Sequence, residues 1–141
     1  MEASRKRAGG LLFELARFRY RLRLFLRFSE CAARAGGVTP QQHQLLLGVA
    51  GYTGKGWATI SDLAEFLQER HNAVVGLVER AARKGLVFKE RAGRDRRFVR
   101  VRATLKGKAV LRKLAEPHLE ELRRLRARLP GVSRSRRQKT A

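Results

Sequence analysis

Two clusters of side chains in this sequence have the types and spacing to act on a nucleic acid. The first is His71, Asn72, Val75, Gly76, Glu79, Arg80 and Arg83. These residues lie opposite an apolar stripe of Val74, Leu77, Val78, Ala81 and Ala82, which recurs at three- and four-residue spacing. An amide such as Asn72 can pair with an adenine edge and a guanidinium with guanine, so this polar face suits a major groove. Gly76 is informative because a glycine inside a helix costs about 1 kcal/mol relative to alanine. Close approach of the helix would justify keeping it, either to a packed neighbour or to a nucleic-acid backbone. The second cluster is Arg94, Asp95, Arg96 and Arg97. Arginines at a hairpin tip can enter a narrow minor groove. Asp95 adds no attraction to a polyanion, so its expected work is structural: holding the tip or a neighbouring arginine.

Both clusters need elements to position them. Thr59 followed by Asp62 is a capping pattern that opens a helix ending at Leu67. Gln68-Glu69-Arg70 is a tight turn, and a second helix runs from His71 to Lys84 with Gly85 as its C-terminal cap. Leu86–Arg91 and Phe98–Arg102 read as two strands joined by the tip from Ala92 to Arg97. Upstream, Thr39-Pro40-Gln41-Gln42 is a capping box with proline in the first turn. It starts a helix that carries Leu45, Leu46 and Val49 and ends near Gly51. Gly51-Tyr52-Thr53-Gly54-Lys55-Gly56 has two residues between its first glycines where a phosphate loop needs four, and Gly56 replaces the metal-binding hydroxyl. It reads as a glycine-rich connection. The expected fold class is therefore mainly α with a small β-hairpin, a winged helix-turn-helix over residues 39–104 with flanking dimerisation helices.

Residues 1–10 read as a short, flexible basic arm. Beyond it, Leu11, Leu15, Phe18, Leu22 and Phe25 fall on one helical face, widened by Leu12, Ala16 and Leu26. A membrane-surface helix or a transit peptide is the alternative reading, and Glu14 counts against both. A face this wide suits dimerisation, so residues 11–38 are assigned to that role. Residues 105–129 make the partner helix, with Leu111, Leu114, Leu119, Leu122 and Leu125 in step. Pro117 is expected to kink it or to start a second segment. Residues 130–141 are basic, lack large apolar side chains after Val132 and are expected to be disordered.

Composition sets the partner class. The 141 residues carry 33 Lys plus Arg against 12 Asp plus Glu, a formal charge of +21. That excess exceeds what solubility needs and points to a polyanion, here double-stranded DNA. At 43% apolar the chain can bury a core. No apolar run approaches a membrane span, and a single cysteine fits a reducing compartment, so a cytoplasmic, nucleoid-associated protein is expected. No catalytic constellation emerges: His43, His71 and His118 are scattered and Cys31 stands alone, which implies no metal, no cofactor and no enzyme. Cys31 reads as inert and partly buried.

The stretch Asn72-Ala-Val-Val-Gly-Leu-Val-Glu-Arg-Ala-Ala-Arg-Lys-Gly-Leu-Val87, followed by Arg94-Asp-Arg-Arg-Phe-Val-Arg-Val-Arg-Ala-Thr104 and Gly107, resembles the MarR-type winged-helix transcription regulators. In that family a recognition helix runs into Gly-Leu-Val, then an Asp-Arg-Arg wing tip, then Thr-x-x-Gly opening a long helix. The resemblance covers roughly residues 11–129. It implies groove reading by Asn72, Ala73 and Gly76, wing contacts by Arg96 and Arg97, and a two-fold dimer, usually a repressor. It also implies a small aromatic effector, for which Phe18, Tyr20 and Phe25 lie on the relevant helix, although helix aromatics more often serve a core. The chain departs from the family after Leu129, where members continue into another apolar helix and this sequence turns basic. A protein that coats nucleic acid without sequence choice, architectural or ribosome-associated, is the alternative that charge alone would favour.

Overall fold

A computed structural model describes residues 1–91, 93 and 98–129. In chain order it comprises α1 (Glu2–Ala35), α2 (Pro40–Leu47), a π-helical turn (Gly48–Tyr52), α3 (Ile60–Leu67), α4 (His71–Arg83), β1 (Val87–Arg91), β2 (Val99–Ala103) and α5 (Leu105–Arg128). The chain divides into two compact units, residues 29–116 and residues 1–28 with the segment from Pro117 onward.

Local chemistry explains the boundaries within residues 29–116. Thr39 accepts from the Gln42 N–H at 3.1 Å while the Gln42 side chain accepts from the Thr39 N–H at 3.0 Å, the reciprocal box that starts α2. Thr59 and Asp62 repeat the arrangement at α3, at 3.1 and 2.9 Å. Gln68 closes α3 in the left-handed region at φ 52°, and the Glu69 N–H returns to the Ala64 carbonyl at 3.0 Å. Leu45, Leu46, Val49, Leu63, Val74, Val78, Leu86, Val87 and Val101 are all fully buried and form the centre of one core. Each such side chain contributes about 1.5–3 kcal/mol relative to exposure.

The hairpin is antiparallel, with Lys89 opposite Val101 and Glu90 opposite Arg100. Its inward residues, Val87, Val101 and Ala103, close the core. An isolated bridge joins it: Ala58 and Val101 exchange both backbone hydrogen bonds, at 3.1 and 2.8 Å. A single residue between a glycine loop and a helix cap gives no periodicity, so this bridge has no sequence signal. Thr104 then caps α5. Its hydroxyl accepts from the Gly107 N–H at 3.1 Å and donates to the Gly85 carbonyl. A side chain at Gly107 would strike the Leu86 carbonyl, so the Thr-x-x-Gly spacing is what lets α5 leave the wing at close range.

Two expectations need correction. Residues 2–10 continue α1 and are not a separate arm: Ala3, Arg5, Lys6, Arg7 and Ala8 favour helix strongly enough to carry Gly9 and Gly10, which touch nothing. Pro117 lies inside the single helical span of α5, and the helix opened at Thr39 is α-helical to Leu47 and π-helical to Tyr52, so it ends near Gly51 as expected. Cys31 is exposed, because it falls on the outer side of α1 while Ser29 and Ala33 take the buried side.

In the other unit, His118 of α5 meets the edges of Phe25 and Phe28 of α1, with ring centroids 6.4 and 5.3 Å apart. Arg124 pairs with Glu120 and Glu121 at 3.0 and 3.3 Å. Along α1, Leu11, Leu12, Phe13, Leu15 and Phe18 remain exposed. No helix among the described residues is long and apolar enough to cross a membrane.

Candidate nucleic-acid interface

Helix α4 sorts its residues by face as the spacing requires. Val74, Leu77, Val78 and Ala81 are buried against the core, and His71, Asn72, Ala73, Glu79, Arg80 and Arg83 are exposed. Val75 and Gly76 are half-buried. Opposite polarity on opposite faces means the polar side is free to meet a ligand while the apolar side fixes the helix. No side chain caps α4 and no acid sits in its first turn, so its positive end stays uncompensated.

Gly76 separates the two readings of the sequence. Apart from its chain neighbours and its own helix, only Arg80 Nη1 comes near a Cβ built there, at 3.2 Å. No neighbouring helix packs on it. The glycine instead lets the Arg80 guanidinium lie back across the exposed face. Glu79, the one acid on that face, is held to Lys89 of β1 at 4.0 Å, a weak link between two exposed groups.

The hairpin places a second set of cations. Arg102 pairs with Glu90 at 2.6 Å. Arg100 lies 4.3 Å from the centre of the Trp57 ring, and Lys55 approaches the same ring to 5.0 Å. Trp57 is held by its own carbonyl, which accepts from the Thr53 hydroxyl at 2.7 Å. Sequence reasoning missed this cluster, since Arg100 is far in sequence from Lys55 and Trp57 and meets them where the Ala58–Val101 bridge brings the two segments together. Arg94, Asp95, Arg96 and Arg97 lie outside the described residues, as does the basic stretch 130–141. Of the tip, Gly93 is described, in the left-handed region at φ 81°.

The residues assigned to dimerisation divide by exposure. Leu11, Leu15, Phe18 and Leu119 are exposed, whereas Leu22, Phe25, Leu122 and Leu125 are half-buried. Among the aromatics proposed for an effector, Phe18 and Tyr20 are exposed and Phe25 packs on His118. Among the described residues no group of acids, histidines and cysteine is placed to hold a metal ion.

Residues 36–97, which span the helix-turn-helix and most of the wing, match the model of the MarR family. That stretch resembles a MarR-type winged helix. Solved structures agree over longer stretches. AbsC, a MarR family transcriptional regulator from Streptomyces coelicolor, superimposes with a TM-score of 0.67 at 24% identity, covering 80% of this chain and 76% of that one. MepR of S. aureus in its DNA complex gives 0.68 at 19% identity, with 81% of each chain covered. NadR in complex with 4-hydroxyphenylacetate gives 0.67 at 19% identity, covering 77% of this chain and 74% of that one. At these identities the likeness establishes the MarR-type fold. No curated protein matches the chain.

Proposed function

We propose that the chain is a sequence-specific DNA-binding transcription regulator, a repressor that binds an inverted-repeat operator as a homodimer. The observation that carries this reading is α4: four buried apolar residues fix it, and Asn72, Ala73, Arg80 and Arg83 are presented together on its open face. On this reading α4 enters the major groove with His71, Asn72, Ala73 and Gly76 nearest the base edges. On the same reading Arg94, Arg96 and Arg97 would contact the flanking minor groove or backbone and Asp95 would hold the tip. The exposed apolar stripe of α1, Leu11, Leu15 and Phe18, supplies the surface for a second copy. Two copies would set half-site centres roughly 34–36 Å apart, one turn of duplex. A small aromatic acid is the class of effector this reading favours, supported by the ligand named for NadR.

Selection of bound sequences from random DNA tests the proposal. The expected product is an inverted repeat, and Asn72→Ala should relax one base position per half-site, a loss of about 1–3 kcal/mol of discrimination. The net charge of +21 favours a second reading, coating without sequence choice. Equal recovery of all sequences, with affinity set only by salt, would install it in place of the first.

A further inference from the structure

Beside α4 lies a cleft of about 360 Å³. Thr39, Gln41 and Gln42 at the start of α2 form one wall, and Arg80, Arg83 and Lys84 form the other. Among the described residues no ion pair engages any of these three cations, and the first turn of α2 carries no acid. The cleft is therefore rich in positive charge, with no acid among its described lining residues. The capping box consumes the N–H groups of Thr39 and Gln42. Pro40 has none, so the exposed Gln41 is the residue of that turn whose N–H lies outside the box. Charged forks and a first-turn amide around one space make a donor set for an oxyanion.

We infer that this cleft seats one backbone phosphate of the duplex. The inference rests on the reading of α4 as the groove helix. An α-helix with its side chains is about 10–12 Å across and a major groove about 12 Å wide, so the flanks of a seated helix meet the phosphate ridges. Arg80, Arg83 and Lys84 occupy such a flank. Their work is then to fix register, while base reading falls to the N-terminal turn of α4. Helix α2 becomes part of the interface, a role its sequence does not advertise.

Neutral methylphosphonate linkages, introduced one at a time along a bound duplex, test the seat. Affinities of the full chain are compared with those of an Arg83→Gln, Lys84→Gln double variant, whose changed residues are both exposed. One linkage per half-site should weaken the wild type several-fold and leave the double variant unaffected. The variant should also lose about 0.9 from its salt slope for each phosphate released, with base preference unchanged. If every linkage weakens both proteins alike, the seat does not exist. Should the wild type bind no duplex at all, the groove-helix reading fails first. Titration with inorganic phosphate, followed at the Gln41 amide resonance, then decides what remains: a saturable shift reassigns the cleft to a free anion, and no shift removes the site.

Discussion

Helices α1 and α4 both carry apolar residues at alternating spacings of three and four, yet only α4 hides them. Val74, Val78 and Ala81 are fully buried, while Leu11, Leu15 and Phe18 of α1 keep 62%, 53% and 46% of their surface exposed. The difference lies in what each helix has nearby. Helix α4 is bracketed within a few residues by α3 and β1, so its stripe closes locally. The first half of α1 is long, arginine-rich and apolar on one side, with its stripe uncovered. Periodicity therefore reports that a face needs covering and leaves open what covers it. Exposed apolar patches of this extent mark interaction surfaces, which is why we propose a second copy there.

The largest effect should come from breaking the closed stripe. Val78→Asp places an unpaired charge at a fully buried site and should destabilise the winged unit by about 4 kcal/mol or more. Thermal unfolding followed by circular dichroism checks this, and a native-like melt would mean that α4 is not packed as described. Leu15→Glu makes the parallel change on the open stripe. It should shift the melting of an isolated protomer by no more than about 0.5 kcal/mol while abolishing self-association. Sedimentation gives the answer: a wild type that is monomeric at micromolar concentration would erase the contrast between the two helices.

The same contrast shows what was legible in the sequence. The capping boxes at Thr39 and Thr59, the stripe of α4 and the hairpin were readable because each signal lies within a dozen residues. Features built from distant segments were not. The Ala58–Val101 bridge, the Trp57–Arg100 stack and the cleft between α2 and α4 join residues about 40 positions apart, and no local pattern encodes them. The start of α1 was misread for a different reason: Gly9 and Gly10 signal a break, but one helix-compatible glycine pair is outweighed by the good helix formers on both sides. Gly107 was recognised as part of a motif, and its physical reason, the nearby Leu86 carbonyl, became visible only in three dimensions.

The smallest expected change in stability is also the sharpest test of the open side of α4. Gly76→Ala should raise helix stability by up to about 1 kcal/mol, because alanine loses less backbone entropy and no neighbouring helix obstructs the new methyl. What the methyl does meet is Arg80 Nη1, at 3.2 Å, the mobile end of a long side chain that can yield. Yielding moves the guanidinium off the exposed face. Binding should therefore weaken several-fold even as the melting temperature rises, so stability and affinity move in opposite directions. Arg80→Gln in the same background separates the causes. If Gly76 acts through Arg80, the alanine substitution costs no further affinity once the guanidinium is gone. A persistent loss would mean that the duplex itself approaches the helix at Gly76, closer than a methyl group allows.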